Sequence, residues 1–122
     1  RKGGITVSGG EPLVQIGFVT ELFEAAKARG IHTCLDTSGI VYRPDRRAEF
    51  DALFACTDLV LLDVKHADPE GHKHLTGHGQ APVLAFARAL SEAAAAGVTV
   101  LAYDCAVTPD SLRIRQRVAV RL

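Results

Sequence analysis

Four short β-type runs alternate with longer stretches of helical periodicity, and that alternation restricts the fold more than any other feature. The runs are Ile5-Thr6-Val7, Ile31-His32-Thr33-Cys34-Leu35, Asp58-Leu59-Val60-Leu61-Leu62-Asp63 and Val98 to Tyr103. Between the first two, Leu13 to Arg29 sets Val14, Phe18, Leu22, Ala25 and Ala26 at helical spacing, with Val19 and Phe23 beside them. Gly30 stops that helix as a C′ glycine does. Pro44 opens a second helical pattern carried by Phe50, Leu53 and Phe54. A third runs from about Ala81 to Ala96, with Pro82 in its first turn, Val83, Ala87, Leu90 and Ala94 on its apolar face, and Gly97 at its end. Antiparallel strands need only a tight turn between them, whereas strands separated by helices need crossovers and lie parallel. The expected fold is therefore α/β: a partial parallel (β/α) barrel of about four βα units. Its strands should lie near 4–8, 31–36, 58–63 and 98–103, paired in sequential order through right-handed crossovers. The unbroken apolar run at 59–62 fits burial on both faces, and the polar stretch from Lys65 to Gln80 reads as a loop.

That pattern covers residues 1–102. Residues 103–122 depart from it: Leu112, Ile114, Val118 and Val120 alternate with Arg113, Arg115, Arg117 and Arg121. This tail fits a surface strand or a disordered basic segment. The composition leaves little bulk for a core, since 48% of the chain is hydrophobic but only 6% is aromatic, and Trp and Met are absent. Fourteen basic side chains balance 14 acidic ones, which argues against a nucleic-acid or polybasic membrane surface. No apolar run approaches the roughly 20 residues that a membrane helix needs. Arg1-Lys2-Gly3-Gly4 leads into no apolar segment of a signal peptide, and without an initiator Met the sequence reads as entered midway. Cys34, Cys56 and Cys105 are isolated in sequence. They make no disulfide framework and suggest a reducing, cytoplasmic setting.

Polar clusters follow three consecutive strands: Ser8-Gly9-Gly10-Glu11, Asp36-Thr37-Ser38-Gly39 and Asp63-Val64-Lys65. Taken singly, each has a plain structural reading as a glycine turn, a capped turn and a surface ion pair. In a parallel sheet, however, the carboxyl ends of the strands share one edge, and ligands bind there. The wording of the clusters goes further. Gly3-Gly4-Ile5-Thr6-Val7-Ser8-Gly9-Gly10-Glu11-Pro12 resembles the second-strand motif of radical S-adenosylmethionine (SAM) enzymes. Gly30 to Gly39 (GIHTCLDTSG) and Thr57 to Lys65 (TDLVLLDVK) resemble one branch of them, the pyruvate formate-lyase activating enzymes. His72-Lys73-His74-Leu75-Thr76-Gly77 and Leu84-Ala85-Phe86-Ala87-Arg88 continue the likeness more weakly.

The resemblance implies a SAM site built from Ser8, Gly9, Gly10, Glu11, Asp63, Val64 and Lys65. Gly9 and Gly10 would let backbone carbonyls approach the methionyl ammonium, with Glu11 adding an acid to the same edge and Lys65 pairing with the ligand carboxylate. It also implies a monovalent cation beside SAM, held by oxygens of Asp36, Thr37 and Asp63. In the complete family member a 4Fe-4S cluster reduces SAM, and the 5′-deoxyadenosyl radical takes hydrogen from a glycine of pyruvate formate-lyase. A glycyl radical enzyme and a flavodoxin-like electron donor are the implied partners.

The chain departs from the family at its cysteines. The family's cluster rests on a C-x-x-x-C-x-x-C triplet after the first strand, and no such triplet occurs here. The chain is thus expected to ligate no cluster, with Cys34 serving as a core residue. The expectation is an interior fragment of an activase, inactive alone. A SAM-binding partial barrel without redox chemistry and a non-functional gene fragment are the alternatives. His66, His72, His74 and His78 gather after the third strand; a solvated loop is the expected reading, and an imidazole zinc site the other.

Overall fold

The computed structural model describes residues 3–104, together with the short strands at 107–108, 111–112 and 115–118. Strands β1 (Gly4–Val7), β2 (His32–Thr37), β3 (Leu59–Val64) and β4 (Thr99–Asp104) pair in the order β1-β2-β3-β4, each parallel to the next. The expected positions hold to within about a residue, the ordinary uncertainty of an element's end. Arg115–Val118, which we number β7, lies antiparallel beside β4. Val107–Thr108 (β5) and Ser111–Leu112 (β6) form a separate two-stranded pair. The remainder of the expected tail lies outside the described residues.

Each crossover contains a helix whose start the sequence marks. Glu11 caps a 3-10 turn at Pro12–Gln15 by accepting the Leu13 N–H, and the turn runs into α1 (Ile16–Lys27). A second 3-10 turn, Pro44–Arg46, leads into α2 (Arg47–Ala55). Between β3 and β4 stand two helices, α3 (Pro69–Thr76) and α4 (Ala81–Ala95). The first of these corrects the expectation of a loop over Lys65–Gln80. Asp68 caps α3 by accepting the Gly71 N–H, and Gly77 closes it in the left-handed conformation.

Alternation in the central strands separates two faces. Leu35 stands opposite Val60 and Thr37 opposite Leu62, and these four pack into the buried interior. Asp36 stands opposite Leu61 on the other face, and Asp63 follows two residues on, so both carboxylates share that second face. The core beneath the first face is built from Leu13, Ile16, Val19 and Phe23 of the first crossover, Phe50, Leu53 and Phe54 of α2, and Phe86, Ala89 and Leu90 of α4. Tyr42 meets Phe50 edge-on with ring centroids 4.7 Å apart and Phe86 at 5.6 Å. A lean aromatic supply is therefore concentrated in one place.

The expected face of α1 is only partly the buried one: Val19, Phe23 and Ala26 turn inward as expected, and the rest of the stripe does not. Val14 and Phe18 are 70% and 62% exposed, and Leu22 is 37% exposed, while Ile16, Val19, Phe23 and Ala26 are buried. On α4 the expected Val83 and Leu90 are fully buried, Ala87 and Ala94 pack against the core part-buried, and Phe86 and Ala89 join them as buried residues.

Candidate functional site

The carboxyl edge of the sheet carries all three polar clusters, because β1, β2 and β3 run parallel and each cluster follows or ends its strand. Cross-strand bonds tie the first two together. Ser8 Oγ donates to Asp36 Oδ2 at 2.9 Å. Glu11 reaches over to the end of β2, where its Oε1 accepts from Thr37 Oγ1 at 2.5 Å. Its Oε2 accepts from Ser38 N at 3.1 Å and Ser38 Oγ at 2.7 Å. With the Leu13 N–H on Oε1 as well, each carboxylate oxygen receives two donors, close to the full acceptor capacity of the group.

Gly9 and Gly10 both occupy positive φ, at 92° and 54°. A Cβ built on either would meet nothing within 4 Å. The turn is thus open on its outer side, with backbone freedom that only glycine has. The third cluster sits at the end of β3. Lys65 Nζ pairs with Asp63 Oδ2, and the Asp63 side chain is only 13% exposed. Its other oxygen, Oδ1, is buried with no hydrogen-bond partner. A buried carboxylate oxygen without a donor is costly unless something else occupies it, and a cation or a ligand ammonium suits that position.

Of the expected cation donors, Asp36 and Asp63 share a face of the sheet. Thr37 alternates to the opposite, buried face, where its hydroxyl donates to Glu11 and accepts the Gly39 N–H at 3.0 Å. The residue that sequence reasoning passed over is Ser38. Its signal was the Thr37-Ser38 pair itself: hydroxyls that accept the N–H two residues on, Gly39 and Ile40 here, form turns and aim their own protons outward.

Of the histidines expected in a solvated loop, His74 and His78 are exposed, but His72 is not. His72 is 1% exposed, and its Nδ1 lies 3.0 Å from the carbonyl oxygen of His78. A carbonyl only accepts, so Nδ1 carries the proton. Gln80, also buried, donates from Nε2 to the carbonyls of His66 and Ala67 at 2.8 and 2.9 Å. This loop is pinned from within by structural polar contacts, and among the described residues no group of three or more His, Cys, Asp or Glu side chains could hold a metal ion.

Cys34 and Cys56 are buried and free. Burial pushes both thiols up from the ordinary cysteine value, away from the thiolate that iron ligation needs. Cys105 lies outside the described residues. Lacking the spaced triplet, these cysteines do not fit a four-iron cluster.

Comparisons with known proteins place the chain in a family. The sequence model of the radical SAM superfamily matches residues 1–108. The chain is 50% identical over 92 residues to the pyruvate formate-lyase-activating enzyme of Staphylococcus epidermidis, a match that covers 74% of this chain and 37% of that protein. The corresponding enzyme of Streptococcus mutans matches at 50% over 92 residues, covering 74% and 35%. The chain thus spans little more than a third of the curated relatives it matches. Among solved structures, a domain of pyruvate-formate lyase-activating enzyme from Bacteroides vulgatus superposes with a TM-score of 0.66 at 24% identity, over 84% of this chain and 59% of that one. That likeness concerns the fold. The superfamily match extends across nearly the whole chain, and on that ground the chain belongs to the radical SAM superfamily.

Proposed function

We propose that this chain is the SAM-holding part of a glycyl-radical activating enzyme of the pyruvate formate-lyase type. The observation that carries the reading is Asp63, whose Oδ1 is buried and unpartnered at the same sheet edge as the open Gly9–Gly10 turn. In this reading Ser8, Gly9, Gly10 and Glu11 receive the methionyl ammonium side of SAM. Lys65, now paired with Asp63, turns to the ligand carboxylate, and Val64 lines the same strand end. Asp36 and Asp63 supply oxygen to a monovalent cation on their shared face. Thr37, whose side chain lies on the other face, completes that set through its backbone oxygen.

Generation of a glycyl radical belongs, in this proposal, to the whole polypeptide. Its protein substrate would be a glycyl radical enzyme of the pyruvate formate-lyase type, its electron donor a flavodoxin-like protein, and its setting the cytoplasm. Among the described residues no helix is long and apolar enough to cross a membrane. The partial barrel of residues 1–102 carries the site, and the divergent segment of residues 103–122 carries none of the proposed site residues. By itself the chain binds and orients SAM without reducing it, a reading favoured by the burial of Cys34 and Cys56.

Equilibrium dialysis against labelled SAM tests this directly. The unaltered chain should bind saturably, and Asp63→Ala or Lys65→Ala should each weaken binding by about 1.5–3 kcal/mol, the scale of a hydrogen bond to a charged group. Absence of saturable binding, or binding indifferent to both substitutions, overturns the reading.

A further inference from the structure

Glu11 sits at a junction. Directly before it lie two glycines at positive φ, and directly after it the 3-10 turn that starts the first crossover. Glycines have wide backbone freedom, so the direction in which Gly9 and Gly10 present their carbonyls depends on what anchors the residue beside them. That anchor is the end of β2. Ser38 alone supplies both donors to Glu11 Oε2, its N–H at 3.1 Å and its hydroxyl at 2.7 Å.

The Ser38 hydroxyl is itself oriented. Its oxygen faces the Ile40 N–H at 3.4 Å, which leaves its proton directed at the carboxylate. Thr37 repeats the arrangement one residue earlier, accepting from Gly39 N and donating to Glu11 Oε1. Two successive turns therefore aim two hydroxyl protons at one carboxylate. A carboxylate needed only as a helix cap would require the Leu13 N–H and little more.

We propose that Ser38 is a positioning residue of the SAM site: by holding Glu11 it fixes the Gly9–Gly10 turn in the orientation that receives the ligand's ammonium. The inference rests on the SAM reading above and deepens it. Ser38 touches no ligand in this scheme and acts through Glu11 alone.

The test compares the unaltered 122-residue chain with Ser38→Ala and Ser38→Thr, using two probes. SAM carries the ammonium, while 5′-methylthioadenosine keeps the adenosine and lacks the amino-acid end. Ser38→Ala should bind SAM about ten- to a hundred-fold more weakly, as for one lost hydrogen bond to a charged acceptor. Its affinity for 5′-methylthioadenosine should stay unchanged, and its melting temperature should fall only by the few degrees that one lost hydrogen bond costs the free chain. Ser38→Thr, which keeps the hydroxyl and the N–H, should restore SAM affinity to within about two-fold, a small fraction of one such bond. Should Ser38→Ala fail to fold, Ser38→Cys is read in its place, since it keeps a weak donor at the same position; a smaller loss confined to SAM then supports the proposal. Equal SAM affinity in the variant and the unaltered chain overturns it. So does a parallel loss of both probes with a lowered melting temperature, the signature of a merely structural serine. If the unaltered chain binds no SAM, the SAM reading falls and takes this inference with it; if it binds SAM regardless of Ser38, this inference alone falls.

Discussion

Phe86 of α4 lies directly over the α-carbon of Gly39, so that a Cβ built at Gly39 would stand 2.3 Å from Phe86 Cδ1. The glycine also sits at φ 70°, a conformation that costs an L-residue about 1–2 kcal/mol. Through this contact the loop after β2 rests on the aromatic cluster, which holds Thr37 and Ser38 at their working height. Gly39→Ala should therefore combine backbone strain with overpacking of about 1–3 kcal/mol. Gly9→Ala, at φ 92° with nothing near its Cβ, should show the strain alone. Urea midpoints of the two variants should rank Gly39→Ala well below Gly9→Ala, and equal midpoints would refute the packing argument.

The opposite end of the sheet is fastened by Asp58. Its Oδ2 accepts the Thr33 N–H at 2.9 Å and its Oδ1 pairs with Lys27 of α1 at 2.5 Å. Thr33 is fully buried and donates its hydroxyl to the Cys56 carbonyl at 2.7 Å. Burial pushes the Asp58 carboxyl up, but the Lys27 ammonium and the Thr33 N–H together outweigh it and hold the group below the usual carboxylate range. A depressed folded-state value stabilises above the unfolded value, about 3.9 for aspartate, and that contribution is lost as pH falls through the folded value. Unfolding followed from pH 7 down to pH 2 should show stability declining in the acid limb, and Asp58→Asn should flatten part of that decline. Asp58→Ala should cost about 1–3 kcal/mol at neutral pH by stranding the buried Thr33 N–H.

Strands and their order were legible because each apolar run ends at a glycine, a charge or a helix-starting proline, and because intervening helices force parallel pairing. The face of α1 was legible only in part. Val14 lies in the 3-10 turn outside α1, while Phe18 and Leu22 on one side of the helix and Val19, Phe23 and Ala26 on the other give two adjacent stripes at helical spacing. Both candidate stripes are apolar, so composition could not arbitrate. The short α3 was hidden by its polarity, although Asp68-Pro69 and Gly77 marked both its ends. At the site, the residues of the three clusters were readable. The sharing of Glu11 between Thr37 and Ser38 was not, since it arises only when two strand ends 26 residues apart come together.

The choice between the two stripes makes its own prediction. Phe23 is fully buried and Phe18 is 62% exposed. Phe23→Ala should cost about 3–5 kcal/mol, whereas Phe18→Ala should change stability by less than about 0.5 kcal/mol. Chemical denaturation of both variants decides it, and a larger loss at Phe18 would restore the register counted from Val14.

The cysteines allow a chemical check. With Cys34 and Cys56 buried and their thiols raised by burial, both should label slowly with a thiol reagent under native conditions and rapidly in denaturant. Reconstitution with iron and sulfide should yield no four-iron absorption band. A stoichiometric cluster on the unaltered chain would contradict the ligand count.

Asp63 separates a binding role from a structural one by the sign of two effects. The part-buried ion pair with Lys65, whose side chain is 42% exposed, contributes about 1 kcal/mol, while the buried Oδ1 without a donor carries a desolvation penalty of about 1–3 kcal/mol. If the residue is kept for a ligand, its removal should relieve the free chain and harm the complex, the usual opposition between stability and function. Asp63→Ala should accordingly leave the melting temperature of the SAM-free chain unchanged or raised. The same variant should lose both the SAM affinity of the unaltered chain and the stabilisation that saturating SAM confers, a gain that follows RT ln(1 + [L]/Kd). Thermal melts with and without SAM give both signs in one experiment. A free chain weakened by several degrees with SAM affinity intact would make Asp63 a structural partner of Lys65 and remove it from the site.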